Sequence, residues 1–440
     1  MTLLRFLFAA FLAFASLGVA LIDMPVLVGR MTKRRFDILF LLVLLVTHFG
    51  VFVLVFFGLH QQPHSDLPAA YVPEAHAVMK GMLPYRDFIS SYAPLNPYLD
   101  AAVLKIKDSA LTLVAFQILC DAAAVPFWIG FLRRCLPEVT VRRAALLYLL
   151  QPLVIWDICL DGKNHGCISL LMAISMYCIA RRETLSGISY GLSLVLVKIL
   201  PSIFLPALFF GARRRWVWLA SAMALPIVVY GSFWLSGLDI TVPIRLEGSK
   251  STPGNVPYFL FSFIGRDIPK GAVGLVTLAV LGAVVIYACL AQLRTTTEPE
   301  RLWTMALSVL VILFALLTAN KKALPAYLEM CFFLICAFTA LHAEAKRRSV
   351  AYLYALLSLI GLSATSFWFT PLGLPNPVQL HSLFMAGDRN GIIEMALQAL
   401  VLISFLGLGV RMLRDLHGPR IATLVARDES QEDSVGLVSG

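Results

Sequence analysis

The chain has 440 residues, of which 59% are hydrophobic and 14% charged, and its formal net charge is +10. A mean hydropathy of +0.82 leaves more apolar surface than one water-soluble globule can hide, so composition excludes a soluble protein and predicts a polytopic, all-α membrane protein. The basic residues stand in short clusters between apolar runs, as topology signals facing an anionic leaflet do, and no nucleic-acid partner is expected.

The first apolar run, "LLRFLFAAFLAFASLGVALI", reads as an extra span or a signal-like segment without a small-residue cleavage pattern. Because "MTKRRFDILF" from Met31 has the form of a second start, residues 1–30 are treated as an optional hydrophobic helix. Further runs lie near 38–59, 110–132, 144–160, 167–180, 216–237, 271–293, 302–318, 326–341, 349–369 and 394–412. They predict ten spans, or 10 to 12 with the N-terminal helix and one broken segment. Residues 31–416 form the membrane body, and the polar stretch 417–440 is expected to be a disordered cytoplasmic tail.

The clusters "GRMTKRR", "LRRCLPEVTVRR", "ARRE", "GARRR", "AQLRTTTEPER", "HAEAKRR" and "RMLRDLHGPR" are assigned to the cytoplasm. Loops 60–108, 161–166, 238–270, 319–325 and 370–393 then face outward. One segment, "SGISYGLSLVLVKILPSIFLPALFF", carries a basic cluster at each end, so a full crossing would strand one outside. A broken, re-entrant pair of half-helices turning near Lys198 and Pro201 resolves this. The eight cysteines include no Cys-x-x-Cys pair, so neither a zinc site nor a disulfide framework is expected, and Cys159 and Cys167 are at most a chance pair.

The loop after the second run contains "HSDLPAAYVPEAHAVMKGMLPYRDFISSYAPLNPY". Asp66 reads either as the cap of a short helix ended by Gly81 and Pro84, or as a general base at the membrane surface. Asp87 is the rival base, and beside Arg86 it reads equally as half of a structural ion pair. Tyr85, Tyr92 and Tyr98 suit an interfacial belt, Pro94 and Pro97 an extended chain. His64 and His76 lie near Asp66 in sequence, with His76 assigned a plain interfacial role; His48, inside a run, is expected to bond to a neighbouring helix.

This loop resembles the first external loop of GT-C class membrane glycosyltransferases, especially the polyprenyl-phosphate-mannose-dependent and related bacterial families. "GLSLVLVKILPSIFLPALFFGARRRW" resembles their Lys-x-x-Pro segment followed by a basic cluster. Many members carry an Asp-Glu pair where Leu67 follows Asp66 here. The resemblance implies a GT-C-like fold in a bacterial inner membrane, an extracytoplasmic active site, an external-loop carboxylate at Asp66 as base, and a polyprenyl-phosphate-linked sugar as donor. The acceptor would be a lipid, glycan or protein hydroxyl.

Lys198 lies inside an apolar run, where insertion costs about 2.5–3.5 kcal/mol, so it is expected to face a polar cavity and contact the donor phosphate. Lys321 and Lys322 in "TANKKALPAY" break the positive-inside trend and are a second phosphate candidate, or a solvated turn. In "DICLDGKNHG", Asp157, Asp161, Lys163, Asn164 and His165 offer donors and acceptors for sugar hydroxyls, or form an ordinary hydrophilic turn. The loop with "RLEGSKSTPGNVPYFLFSF" has the composition of a mobile cover. No metal-ligand spacing, nucleotide cradle or Asp-x-Asp pair occurs, so no metal and no cofactor is expected and the donor is taken to be lipid-linked. The alternatives are a transporter or flippase of lipid-linked sugars, and an O-antigen polymerase or ligase.

Overall fold

The structure, a computed structural model, describes residues 2–22, 26–63, 66–361 and 376–416. Expectations for His64 and for the tail 417–440 therefore lie outside the described residues. Among them the chain is helical, with no strand beyond an isolated bridge between Pro84 and Phe88.

In chain order come α1 (Thr2–Leu21), α2 (Val26–Arg30), α3 (Lys33–Val53), α4 (Val72–Met79) and α5 (Asn96–Leu104). The next group is α6 (Ala110–Leu132), α7 (Glu138–Leu149), α8 (Pro152–Cys159), α9 (His165–Cys178), α10 (Glu183–Leu196), α11 (Leu205–Gly211) and α12 (Arg215–Leu235). Two short helices, α13 (Val242–Ser249) and α14 (Val256–Ile264), precede α15 (Lys270–Leu293) and α16 (Glu298–Ala319). The chain closes with α17 (Phe332–Glu344), α18 (Arg348–Ile360), α19 (Pro377–Met385) and α20 (Arg389–Asp415).

Seven described helical segments are long and apolar enough to cross a membrane: Lys33–Gly58, Ala110–Leu132, Arg215–Leu235, Lys270–Leu293, Glu298–Ala319, Pro325–Glu344 and Arg389–Asp415. The protein is thus a multi-pass membrane protein. Counting α7 and α8 together, bent by 54°, makes eight. The ten runs counted in the sequence register apolar content, whereas this count of the described residues rests on helix length, and the run 349–369 extends beyond those residues. α9 has only 14 residues, and at 1.5 Å per residue such a helix covers about 21 Å of a hydrocarbon core about 30 Å thick.

α16 and the segment Pro325–Glu344 form the buried centre, whereas α3, α12 and α15 leave most of their apolar side chains on the surface. Leu275 on α15 is 70% exposed and Ile227 on α12 is 64% exposed, which suits a lipid-facing ring. α10 packs intimately along α12. Gly187 and Gly191, one turn apart, allow this: a Cβ on Gly187 would lie 2.6 Å from the Trp218 carbonyl oxygen, and one on Gly191 would lie 2.5 Å from that of Ala222. Small residues at this spacing let two backbones approach closely.

The cluster "RRCLPEVTVRR" is built into the packing of the helices. Arg143 donates to the carbonyls of Val19 at 3.0 Å and Ile22 at 2.9 Å, closing the open end of α1. Arg142 donates to the Gly29 and Met31 carbonyls at 3.1 and 2.8 Å. With α1 also packed on α18, α1 and α2 are joined to the helical body. All eight cysteines are free and buried, and Cys167 neighbours Cys120.

Candidate functional site

The site is organised around an interruption between α10 and α11. Pro201 has no N–H to continue an α-helical ladder, and the chain passes through Val197–Ile199 without helix before a 3-10 turn at Leu200–Phe204. The carbonyls freed at the end of α10 are taken up by the loop before α5. Leu95 N–H donates to Val195 O at 3.0 Å and Ala93 N–H to Val197 O at 3.1 Å, with Pro94, which has no donor, between them. Pro97 sits in the first turn of α5 rather than in extended chain, a position where its missing donor is harmless.

The interruption presents Lys198 to a polar interior. Its Nζ lies 3.4 Å from His165 Nε2, and His165 Nδ1 lies 3.2 Å from Glu329 Oε2. The ammonium also sits 5.3 Å from the Tyr92 ring centroid and 5.8 Å from that of Tyr327, within range of cation–π attraction. Tyr92 is therefore an interior residue, 6% exposed, and not part of an interfacial belt. It packs edge-on against Tyr71 at 5.0 Å.

The turn between α8 and α9 adds a second charged group. Lys163 Nζ reaches Asp157 Oδ1 at 2.9 Å and Asp161 Oδ2 at 3.5 Å. Burial pushes the Asp161 carboxyl up to about 7, with Lys163 pulling the other way. Asn164 donates through Nδ2 to Asn96 Oδ1 at 3.2 Å, and Asn96 Nδ2 donates to Asp100 Oδ2 at 2.9 Å. Burial carries the Asp100 carboxyl to about 8. The Asn164 Oδ1 is buried without a hydrogen-bond partner among the described residues, an acceptor left over in an otherwise connected network.

Asp66 opens the helical turn Leu67–Tyr71 but makes no side-chain capping hydrogen bond. The carboxylate is half-buried, and its charge is felt at Lys198, Lys322, Asp161 and Tyr327. It also acts on Glu74 of α4, where Ser90 Oγ donates to the carboxylate at 2.7 Å. Burial first, then the Asp66 charge, raise the Glu74 carboxyl from 4.5 to about 7 against the Ser90 bond.

Of the residues singled out by sequence, Asp66, Asp161, Lys163, Asn164, His165, Lys198 and Lys322 converge on this interior. Lys322 pairs with Glu247 of α13 while lying in electrostatic reach of Lys198. Its neighbour Lys321 belongs elsewhere: its carbonyl accepts from Thr252 N–H at 2.9 Å and Asn255 Nδ2 at 3.2 Å, and its ammonium faces Lys270. Those bonds pin the loop expected to be a mobile cover, which folds into α13 and α14. Arg86 and Asp87 form a bidentate pair at 2.9 Å on an exposed turn. The guanidinium and the Leu83 N–H hold the Asp87 carboxyl below the usual range. Tyr85, at a left-handed φ of 67°, donates through its hydroxyl to the Tyr92 carbonyl at 2.5 Å and so supports the loop from beneath. His76 pairs with Asp108 at 2.7 Å, away from Asp66. His48 faces Asp121 of α6 at 3.6 Å, a neighbouring-helix contact as expected.

Glu329 is the principal residue not singled out by sequence. Its signal was an acid within the apolar stretch "PAYLEMCFFLICAF", where an ionisable group marks a pathway or site by default. Asn96, Asp100, Tyr71 and Glu74 carry no such signal, because polar residues in a segment between apolar runs are unremarkable until folding buries them. Among the described residues no group of three or more His, Cys, Asp or Glu side chains is arranged to hold a metal ion.

No family model matches the chain, and no curated protein or solved structure matches it.

Proposed function

We propose that the protein is a GT-C-like membrane glycosyltransferase that moves a sugar from a polyprenyl-phosphate donor to an acceptor hydroxyl on the extracytoplasmic face of a bacterial inner membrane. In this reading α7 and α8 cross together, and α10 and α11 form a re-entrant hairpin. The observation that carries the proposal is the convergence of Asp66 with Lys198 and Lys322 in one polar interior. A carboxylate that makes no capping hydrogen bond acts electrostatically on two ammonium groups.

Asp66 takes the proton of the acceptor hydroxyl, and the oxygen attacks the anomeric carbon. The bond from that carbon to the phosphate oxygen breaks, and polyprenyl phosphate leaves with its charge met by Lys198 and Lys322. His165 and Glu329 hold the Lys198 ammonium in place. Asn164 Oδ1 is available to a sugar hydroxyl, and positioning of donor and acceptor supplies much of the acceleration. A paired Lys322 suits this role if the donor phosphate competes with Glu247 for the ammonium.

The test is transfer by purified protein from polyprenyl-monophosphate and polyprenyl-diphosphate sugars. Asp66→Asn should lower turnover by about 10²–10⁴-fold with donor binding retained, whereas Asp87→Asn should change it little. Normal turnover by Asp66→Asn would remove the proposed base. Exclusive use of diphosphate donors would favour a polymerase or ligase, and movement of intact lipid-linked sugar without transfer would favour a flippase.

A further inference from the structure

The loop before α10 and the loop before α12 meet in a groove of about 710 Å³ lined by Arg181, Arg182, Arg213 and Arg214. We propose that this groove binds the phosphate-bearing headgroup of an anionic phospholipid in the leaflet bordering the basic loops. This site is separate from the polar interior around Lys198, and the proposal does not depend on the sugar-transfer reading.

Three features select the occupant. First, the guanidinium charge is uncompensated: among the described residues no ion pair joins a carboxylate to the side chain of any of these four arginines. Glu183, the acid in the groove wall, is engaged instead by the Arg214 backbone N–H, which donates to Oε1 at 2.6 Å. Second, α10 and α12 both begin at this groove, so the positive ends of two helix dipoles add to the guanidinium field. The close packing at Gly187 and Gly191 fixes the spacing of those ends. Third, the remaining wall is apolar and open: Leu185, Ile188 and Val217 line it at 41%, 42% and 46% exposure.

A free phosphate would use only the arginines. A phospholipid uses both walls, with its headgroup among the guanidinium groups and its acyl chains along the exposed faces of α10 and α12. Trp216, 75% exposed at the start of α12, has the position an indole takes at headgroup level. Basic pockets between helices on the cytoplasmic side recognise anionic headgroups by this chemistry.

Native mass spectrometry of the detergent-purified full chain, loaded with dioleoyl phosphatidylglycerol or dioleoyl phosphatidylcholine, reads the site directly. The wild type should retain phosphatidylglycerol preferentially, and each of Arg182→Gln, Arg213→Gln and Arg214→Gln should lower that retention by about fivefold. Equal retention by wild type and the triple variant overturns the proposal. Displacement of bound phosphatidylglycerol by inorganic phosphate at equal concentration also overturns it, by making the occupant a soluble anion. A second measurement needs no variant: nanodiscs of phosphatidylglycerol should raise the wild-type Tm above that in phosphatidylcholine, and an unchanged Tm counts against the site.

Discussion

Lys198 Nζ stands 3.4 Å from His165 Nε2, and the other nitrogen of that ring stands 3.2 Å from Glu329. An ammonium can only donate, so Nε2 accepts and the ring proton belongs on Nδ1, from which it is donated to the Glu329 carboxylate. One imidazole thus couples a cation beside the helix interruption to an acid in the buried centre, with its tautomer set by the two partners.

On the proposed reading, Lys198→Met should lower sugar transfer by about 10²–10³-fold, the usual effect of removing one donor from a site where charge develops. Lys198→Arg should recover little, because a planar fork does not replace a compact ammonium between two aromatic rings. Steady-state transfer by both variants checks this, and near-wild-type rates in Lys198→Met would place the leaving phosphate elsewhere.

Lys163→Met should be among the most destabilising single changes in the chain. It leaves Asp157 and Asp161 without the ammonium that stands 2.9 and 3.5 Å from them, and breaking a buried pair from one side costs about 3–5 kcal/mol. Thermal unfolding in detergent should show this, with the Asp157→Asn/Lys163→Met double variant losing less than the two single losses added. Strict additivity would mean that the groups do not act as a pair.

The segment between α3 and α5 should weaken as pH rises. A Glu74 carboxyl raised from 4.5 to about 7 binds more protons folded than unfolded between those values, so its contribution to stability is lost across that window and levels off above it. Melting temperatures from about pH 5 to about pH 8 should fall more steeply in the wild type than in Glu74→Gln, which cannot ionise. Parallel slopes would exclude Glu74 as the source.

Gly187→Leu should disrupt the contact between α10 and α12, since even a Cβ there would meet the Ser221 Oγ at 2.0 Å. Overpacking of this kind costs about 1–3 kcal/mol. The Tm should drop, and retention of phosphatidylglycerol should fall with it as the two helix ends are forced apart. An unaltered Tm would show that the helices can separate freely.

What the sequence disclosed depended on whether a residue was anomalous for its surroundings. Lys198 stood out because a cation in an apolar run must be accommodated, and the break beside it followed from Pro201 and from basic clusters at both ends of the segment. Asp66 was legible as one of two candidates, but its lack of a capping bond was not, because capping depends on side-chain direction. Lys321 and Lys322 read as a pair, whereas successive positions in the turn send them to different neighbours. The bend of α7 into α8 and the shortness of α9 were not legible, because apolar content does not reveal where a helix bends or ends.

The stitching of Ala93 and Leu95 onto Val195 and Val197 has a mechanical consequence. The strip of loop bearing Tyr92 and the interrupted segment bearing Lys198 are clasped edge to edge by main-chain bonds, so a displacement of either draws the other with it. α13, by contrast, is tied to the turn bearing Lys322 through the side chain of Glu247, an ionic link that a competing anion can loosen.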